Sequence, residues 1–206
     1  MLKQAIPRKT VYRLSLYTRS LQRLLENSIE TVSSEALAKA TGVKPTQLRK
    51  DLAYFGQFGK KGLGYNVQEL IQKISQLLGT NHLQPVILIG VGDLGSALLS
   101  YKGFEKEGFE IISSFDMDVQ RHRNKKFSIP ILPMTDLKPF IEKRLVKLAI
   151  LSVPAHSAQS VTNELIAAGI TAILNFAPIN LDVPDQAVVN NVNLAMELEN
   201  LSYFIK

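Results

Sequence analysis

The sequence PVILIGVGDLGSALLSY, residues Pro85–Tyr101, decides the fold of the larger part of this 206-residue chain. It begins with a short apolar run, which is typical of a strand that is buried on both faces. Gly90, Gly92 and Gly95 follow at once and lead into a helix opening. Glycines at this spacing allow a tight turn, close approach of the backbone to a pyrophosphate, and close packing of the helix on the strand. The free N–H groups at the start of the helix would receive the negative charge.

A second apolar segment, FEIISSFDMD, brings in Asp116, 21 residues after Gly95. An acidic residue at this distance holds the ribose hydroxyls of an adenosine. The order of strand, glycines, helix, strand and acid predicts a dinucleotide site made by Gly90, Val91, Gly92, Asp93, Leu94, Gly95 and Asp116. Asp116 favours NAD over NADP, because a carboxylate repels a 2′-phosphate. The basic run RHRNKK (121–126) argues against this, since a nearby Arg accommodates that phosphate, but we interpret the run as a solvated loop.

The alternation of strands and helices continues after Asp116. TDLKPFIEKR and HSAQSVTNELIAAG read as helices, and VKLAILSVP and ITAILNFAP read as strands. This rhythm predicts an α/β domain over residues 81–190, with a Rossmann-like, doubly wound parallel sheet. Ligands bind such sheets beyond the carboxyl ends of the strands. The candidates for the nicotinamide side are therefore residues at the ends of two strands: Val153, Pro154, Asn175 and Phe176. An ordinary change from strand to loop explains these residues equally well.

Charge and composition separate the first 80 residues from the rest. Residues 1–80 contain 13 Lys and Arg against 5 Asp and Glu, whereas residues 81–206 contain 11 against 13. A basic head on a mildly acidic body is typical of polyanion binders. The chain has no cysteine, which excludes disulfides, thiolate nucleophiles and cysteine metal sites. No segment has the roughly 20 apolar residues of a membrane span or the apolar core of a signal peptide, so we expect a cytoplasmic protein.

The basic head reads as three helices followed by a fourth. A first helix is expected over residues 10–27, and a second begins at Ser33 or Ser34 and ends at Gly42. A third opens with Pro45 and points Leu48, Leu52 and Phe55 to one side. This is the helix-turn-helix pattern, in which the second helix of the pair reads base edges in the major groove of DNA. The candidate DNA-binding residues of this part are Lys44, Thr46, Gln47, Arg49, Lys50 and Tyr54.

The segment RKDLAYFGQFGKKGLGY, residues Arg49–Tyr65, mixes glycines, aromatic residues and cations. Glycines allow a tight ribbon, and aromatic residues anchor its base on a core. Lys60 and Lys61 would lie at the tip, along phosphates or in a minor groove. We therefore expect a winged-helix DNA-binding domain over residues 1–80 in preference to a plain three-helix bundle. A helix capped by Asn66 and a linker over residues 79–85 complete this part.

The last 16 residues, 191–206, read as a C-terminal helix. Leu194, Leu198, Leu201 and Ile205 form one seam, while Met196 and Tyr203 point elsewhere. A helix that is apolar on two sides must be covered by two bodies. A second subunit is favoured for one of them, which makes this a dimerisation helix; packing between the two parts of the same chain is the alternative.

A dinucleotide site invites the interpretation that the chain is a dehydrogenase, but the sequence supports that weakly. It has three histidines, His82, His122 and His156, and no Tyr-x-x-x-Lys pair. About 125 residues also leave no room for a separate substrate domain beside a cofactor fold. The combination of a nucleotide-binding body with a DNA-reading head favours a regulator that has no catalytic residues and whose ligand is the cofactor.

From about Ile6 onwards the chain resembles the Rex family of bacterial redox-sensing transcriptional repressors. Four motifs carry the resemblance: VSSEALAKATGVKPTQLRKDLAYFGQFGKKGLGY, GVGDLGSALLSYKGF ahead of FDMD, NFAP followed by VP, and NVNLAMELENLSYF. The resemblance implies a homodimer with winged-helix domains, Rossmann domains that bind NAD(H) as a regulatory ligand, and a swapped C-terminal helix. It also implies a palindromic operator in double-stranded DNA, near genes for fermentation and NADH reoxidation, from which NADH releases the dimer.

The resemblance also assigns individual residues. Tyr101 matches the tyrosine of the family near the nicotinamide side, and Arg13 matches an Arg of the first helix that approaches an acid of the family. Two positions depart from the pattern. Lys61 stands where many members have Arg, which keeps the charge but loses the planar fork. Asn193 stands where many members have that acid, so this chain cannot form the ion pair at the expected switch contact between Arg13 and position 193.

Overall fold

The computed structural model describes residues 6–59, 63–122 and 127–205. The chain divides into two compact units, Met1–His82 and Leu83–Lys206. Over residues 6–59 and 63–82, the first unit contains four helices and a two-stranded antiparallel sheet: α1 Arg8–Glu26, β1 Thr31–Val32, α2 Ser34–Thr41, α3 Pro45–Ala53, β2 Tyr65–Asn66 and α4 Val67–Leu78.

Local capping sets the helix boundaries of the first unit. The Ser33 hydroxyl accepts a hydrogen bond from the Ala36 N–H at 3.1 Å, and the Asn66 side chain accepts one from the Glu69 N–H at 2.9 Å. Gly42 ends α2 in the left-handed region, at φ 69°. Side-chain oxygens at the N-cap and glycine after the last turn are the usual signals for these boundaries. The helix expected over residues 10–27 is observed at Arg8–Glu26.

One apolar core holds the first unit together. The core side of α1 contributes Leu14, Tyr17 and Leu21, all at most 1% exposed, whereas Leu25 is exposed. The remaining fully or almost fully buried residues of this core come from the other elements and include Leu37, Leu48, Leu52, Leu70 and Ile74. Val32 pairs with Tyr65 across the small sheet. The sheet thus holds the chain that follows α3 close to the chain that precedes α2.

In the part that the structure describes, the second unit is a six-stranded parallel sheet with helices. Its strand order is β5-β4-β3-β6-β7-β8, which is the doubly wound order of a Rossmann fold. Its elements are β3 Gln84–Ile89, α5 Asp93–Ser100, α6 Gly103–Lys106, β4 Phe109–Asp116, β5 Ile131–Pro133, α7 Leu137–Arg144, β6 Leu148–Leu151, α8 Ala155–Ala167, β7 Ala172–Asn175, β8 Val188–Asn191 and α9 Leu194–Ser202. Short 3-10 helices span Val119–His122, Met134–Asp136 and Tyr203–Ile205.

Both faces of this sheet are covered. Ile87 and Ile89 of β3 belong to one buried cluster with α7 and α8, whereas Val86 and Leu88 belong to another with α5. Alternate residues of a strand point to opposite faces, so β3 lies at the centre of a doubly wound sheet. The chain reverses its direction of winding between β3 and β6. The crevice at that switch point is where such sheets bind ligands.

Several boundaries differ from those expected. β3 begins at Gln84, so the linker is shorter than residues 79–85. β5 and β8 were not expected, because three or four residues with exposed positions do not show a strand pattern. β8 extends to Asn191, and the C-terminal helix begins only at Leu194. Among the described residues, no helix is long and apolar enough to cross a membrane.

Candidate functional site

The three glycines after β3 have three different environments. Gly90 adopts φ +88°, and a Cβ there would lie 2.6 Å from the Ser152 carbonyl oxygen. A Cβ on Gly95 would collide with the Gly90 carbonyl oxygen, because α5 packs directly on the loop. A Cβ on Gly92 would meet no atom within 4 Å. Gly90 and Gly95 are therefore needed for the backbone itself, whereas Gly92 leaves open space in which a pyrophosphate can approach the chain.

Ser152, at the end of β6, fixes this loop from the neighbouring strand. Its hydroxyl donates to the Gly90 carbonyl at 2.8 Å and lies 3.2 Å from the Ile89 carbonyl. The Gly90 N–H donates to the Phe115 carbonyl of β4 at 2.8 Å. The loop is thus held by strands on both sides. Ser152 could not be identified from the sequence, since a serine after a strand gives no signal of its own.

Asp116 lies at the carboxyl end of β4, beside the glycine loop. Its Oδ2 accepts the Val91 N–H at 2.7 Å, and its Oδ1 accepts the Asp118 N–H at 2.9 Å. Its side chain is 18% exposed, and the ring nitrogen Nε2 of His122 lies 3.5 Å from Oδ2. The structure therefore places the predicted ribose-binding acid next to the predicted pyrophosphate loop.

A cleft of about 480 Å³ opens over these strand ends, within the usual range for a small-molecule site. Of the predicted cofactor residues, eight line it: Gly90, Gly92, Asp93, Leu94, Asp116, Val153, Pro154 and Phe176. Residues that the sequence analysis did not predict as cofactor ligands also line it, among them Met117, Arg121, Met134 and Ser157. These come from short 3-10 helices, from the residue after β4 and from α8, where neither spacing nor periodicity indicates a binding role.

Four predicted residues do not line the cleft. Val91 and Gly95 are buried. Tyr101 is 60% exposed and contacts Phe104 edge to face. Asn175 is fully buried, and its side-chain amide donates to the Ala177 and Ile179 carbonyls and to Asn191.

The side-chain amide of Asn175, a predicted cofactor contact, is engaged within the protein. Its Oδ1 accepts the Ala177 N–H at 2.9 Å, so both ends of its amide are occupied within the protein. The residue holds the loop after β7 against β8. It thereby shapes the backbone around Phe176, which does line the cleft.

The structure describes the first two residues of the basic run 121–126, and they have different environments. Arg121 is exposed and lines the cleft, but His122 is only 5% exposed. Arg123, Lys125 and Lys126 lie outside the described residues.

In the first unit, α3 presents an exposed basic surface. Lys44, Thr46, Lys50 and Tyr54 are exposed. Arg49 is also exposed, and it donates to the Ser34 hydroxyl at 2.8 Å and to the Glu35 carboxylate at 3.1 Å. Gln47 differs from the prediction, because it is half-buried and its Nε2 donates to Asp51 at 2.9 Å. Lys60 and Lys61 lie outside the described residues.

Asp51 is the centre of a buried polar network that links α3 to α1. Its fully buried carboxylate accepts hydrogen bonds from the Arg13 guanidinium, the Tyr17 hydroxyl at 2.8 Å and the Thr10 hydroxyl at 3.2 Å, besides Gln47. Burial alone would raise the pKa of Asp51, but the hydrogen bonds from Arg13, Tyr17 and Gln47 outweigh it and hold the pKa below its usual value. Burial and the same carboxylate raise the pKa of the Tyr17 hydroxyl.

This network was missed because its members are far apart in sequence. Arg13 and Asp51 are separated by 38 residues, and no periodicity connects them. The only signal was an acid, Asp51, on the helix face that also carries buried leucines. The network attaches the candidate recognition helix α3 to α1 by charge, in addition to the apolar packing between them.

Asn193 and α9 complete the candidate features. The Asn193 side chain caps α9, since its Oδ1 accepts the Ala195 and Met196 N–H groups. The helix and the residues after it are exposed on several sides, and the exposed large apolar residues are Leu194, Met196, Leu198, Leu201, Tyr203, Phe204 and Ile205. Across residues 6–59, 63–122 and 127–205, no group of three or more His, Cys, Asp or Glu could hold a metal ion.

Comparison with protein families identifies both units. Residues 5–53 match the family model described as “Putative DNA-binding protein N-terminus”, and residues 81–179 match the one described as “CoA binding domain”. The second match covers the Rossmann-like sheet through β7.

Relatives match over nearly the whole chain. The redox-sensing transcriptional repressor Rex of Pelotomaculum thermopropionicum is 44% identical over 96% of this chain and 93% of its own. The protein of the same name from Syntrophobacter fumaroxidans is 44% identical over 97% and 96%. Among solved structures, RSP in complex with β-NAD+ and operator DNA is 36% identical, with a TM-score of 0.91 over 98% of this chain and 93% of that one. RSP in complex with β-NADH is 35% identical, with a TM-score of 0.86 over 98% and 95%. The chain therefore belongs to the Rex family of redox-sensing transcriptional repressors.

Proposed function

We propose that this protein represses transcription by binding operator DNA through its first unit, and that NADH bound in its second unit releases it. The observation that carries the proposal is the geometry of the cleft: a loop with open space at Gly92 and, next to it, the Asp116 carboxylate. RSP, a relative at 36% identity with nearly the same fold, has been solved with β-NAD+ and operator DNA together. The full-length relatives are named as repressors, not as enzymes.

The residues present fit an NAD(H) ligand. Gly92 leaves room for the pyrophosphate and is the N-cap of α5, so the free N–H groups at the start of this helix would receive its charge. Asp116 keeps acceptor positions for ribose hydroxyls, because each of its oxygens accepts one backbone N–H and has a second lone pair. Val153, Pro154 and Phe176 give the cleft an apolar wall at the ends of β6 and β7. The ligand supplies the redox signal, because its nicotinamide is cationic and planar when oxidised and neutral when reduced.

The exposed side of α3 supplies the DNA contacts of the proposal. Lys50 suits guanine, because an ammonium group donates to O6 and N7, and Lys44 at the N-cap suits a phosphate. Gln47 contacts bases only if its amide leaves Asp51. The exposed guanidinium of Arg49 has donors beyond those that bind Ser34 and Glu35, so it can also reach a phosphate. Lys60 and Lys61 are proposed as wing residues on the sequence alone.

A homodimer completes the proposal. The apolar surface of α9 and of the residues that follow it needs a cover, and large exposed apolar patches mark interaction sites. We propose that the α9 helices exchange between two subunits. Two recognition helices then match a palindromic operator, since the two-fold symmetry of a dimer mirrors that of its site. The operator lies on bacterial DNA in the cytoplasm, near genes for fermentation and NADH reoxidation.

A ligand shifts an equilibrium between two arrangements only by its difference in affinity for them. If NADH prefers the arrangement that cannot bind DNA by about 100-fold, each site contributes about 2.7 kcal/mol. The contributions of two sites in a dimer together come close to the roughly 5.5 kcal/mol that moves a population from 1:99 to 99:1. The shift is therefore almost complete.

The test is a fluorescence anisotropy titration of labelled operator DNA with NAD+ and NADH in parallel. We expect NADH to weaken operator binding at least about tenfold more than an equal concentration of NAD+, because each 1.4 kcal/mol is a factor of ten. Equal effects of the two nucleotides would end the proposal of a redox sensor. A constitutive repressor would bind the operator and show no change in NADH fluorescence. A dehydrogenase would instead change the absorbance of NADH with some substrate.

A further inference from the structure

His122 is a buried titratable side chain that the proposed function does not use. It ends the short 3-10 helix after β4, and its side chain is 4% exposed. Among the described residues, neither ring nitrogen has a hydrogen-bond partner. Most buried side-chain polar atoms in proteins do have one. Its Nε2 lies 3.5 Å from Oδ2 of Asp116, the carboxylate that we assign to the adenosine ribose.

Asp116, at the end of the adjoining strand β4, is a charged neighbour of the ring, with its Oδ2 at 3.5 Å from Nε2. The 3-10 helix packs on β5, whose residues Ile131–Pro133 are not titratable. Within its own turn, the Asp118 carboxylate accepts the Arg121 N–H at 3.2 Å, and Arg121 faces the cleft. The cations of 123–126 lie outside the described residues.

Protonation of the ring would change what Asp116 offers to a ligand. The carboxylate already accepts the Val91 and Asp118 N–H groups, which leaves a second lone pair on each oxygen. An imidazolium at 3.5 Å would direct an N–H towards one of these and would cancel the charge of the carboxylate. Histidine is the side chain whose charge commonly changes between pH 5 and 8.

We propose that His122 determines specificity at the adenosine ribose, by making the preference for a 2′-hydroxyl over a 2′-phosphate depend on its protonation. This inference rests on the proposed function of the cleft as an NAD(H) site. With a neutral ring, Asp116 accepts the 2′-hydroxyl and repels a 2′-phosphate. With a charged ring, Asp116 has one acceptor position fewer and its repulsion is neutralised, while Arg121 attracts the phosphate from the same cleft.

The direction of the effect follows from these two changes together. As the pH falls, binding of the 2′-hydroxyl form weakens and binding of the 2′-phosphate form strengthens, so their ratio of affinities falls. Attraction of the imidazolium to the pyrophosphate acts on both ligands and cancels in the ratio. A neutral ring thus favours NADH, and a charged ring admits NADPH as well.

The experiment measures binding of ADP-ribose and of 2′-phospho-ADP-ribose to the full chain by calorimetry, at about pH 6 and about pH 8.5. These probes lack the nicotinamide, so the redox switch is not involved. A 2′-phosphate itself titrates near pH 6, and the variant His122→Gln measures that background. We expect the affinity ratio to fall at least about fivefold more in the wild type than in this variant, since one linked proton can change an affinity up to tenfold per pH unit. The linker variant His82→Gln should behave as the wild type.

A second variant, His122→Phe, keeps a ring of similar size without a proton and should lose the pH effect in the same way. NMR of the His122 ring should show a resonance that shifts when ADP-ribose binds. The same pH course of the ratio in the wild type and both variants, or a His122 resonance that ADP-ribose leaves unmoved, would overturn the inference. Failure of the wild type to bind ADP-ribose at about pH 8.5 would instead refute the NAD(H) site, and the inference with it.

Discussion

Replacing Asp51 with alanine should destabilise the first unit more than any exposed substitution near it. The change leaves the Arg13 guanidinium, the Tyr17 hydroxyl and the Gln47 amide without their common acceptor. Removing one partner of a buried ion pair costs about 3–5 kcal/mol, because it leaves an uncompensated charge. The Arg13 side chain is 20% exposed, so water solvates part of it, and we expect a loss of about 3 kcal/mol in the free energy of unfolding.

The assay is thermal unfolding of the full chain, followed by tyrosine fluorescence and by calorimetry. Four of the six tyrosines, Tyr12, Tyr17, Tyr54 and Tyr65, lie in the first unit, and the chain has no tryptophan. For a domain of this size, about 3 kcal/mol corresponds to a fall in Tm of about 12–24 °C. The transition of the second unit should not move.

Two further variants test whether the buried network around Asp51 is the cause of the lost stability. Glu35→Gln removes the exposed ion pair with Arg49 and should leave the unfolding curve unchanged, because exposed pairs contribute little. Adding Arg13→Gln to Asp51→Ala should restore at least about 1 kcal/mol, since the unpaired charge is then gone. A fall in Tm of less than about 3 °C for Asp51→Ala, or a double variant that is less stable than the single one, would show that the network does not stabilise the unit.

Four other outcomes follow from the same geometry. Gly92→Ala should fold normally and lose at least about tenfold in NADH affinity, whereas Gly95→Ala, whose Cβ would collide with the Gly90 carbonyl, should lower the Tm of the second unit; fluorescence of bound NADH and calorimetry separate the two. The pKa of Asp51 is lower in the folded state than in the unfolded one, so its stabilisation should be complete above about pH 4 and be lost as the pH falls through the folded pKa, which acid unfolding of the wild type and of Asp51→Asn would show. Lys44→Ala should reduce the slope of log affinity for operator DNA against log salt concentration by about 0.9 if its ammonium binds a phosphate; an unchanged slope would exclude that contact. Removal of residues 194–206 should convert a dimer into a monomer in analytical ultracentrifugation, and a dimer that persists would exclude α9 as its main interface.

Local signals in the sequence were sufficient for much of the fold. Ser33, Gly42 and Asn66 act within one helical turn, so their residue types alone predict the boundaries they make. The glycine loop and Asp116 were likewise predictable, because a βαβ unit of nearly fixed length separates them. The short strands β5 and β8 were not predictable, since their stability comes from pairing with β4 and β7 and not from their own residues.

Side-chain direction at the site is what the sequence could not provide. Asn175 ends β7 beside the cleft, but its amide turns inwards because the Ala177 and Ile179 backbone needs partners. Gln47 points along α3 to Asp51, although helical periodicity alone places it on the polar side. His122 lies in a basic, polar run, yet the fold buries it. In each case a contact with a residue outside the local pattern decides the orientation.

The Arg13–Asp51 pair also bears on the predicted switch contact between Arg13 and position 193. Asp51 already balances the charge of Arg13 within the first unit, so any further acid that approached Arg13 would meet a neutral pair and not a free cation. A neutral Asn193 therefore forgoes less attraction than its difference from the family pattern suggests. The Oδ1 atom of Asn193 is also engaged, because it accepts hydrogen bonds at the N-cap of α9. The amide N–H groups of Asn193 can still donate to a carboxylate. We therefore expect Asn193→Asp to change the response to NADH only modestly in the wild type. The same substitution should change that response strongly in the Asp51→Asn background, where Arg13 has lost its charged partner.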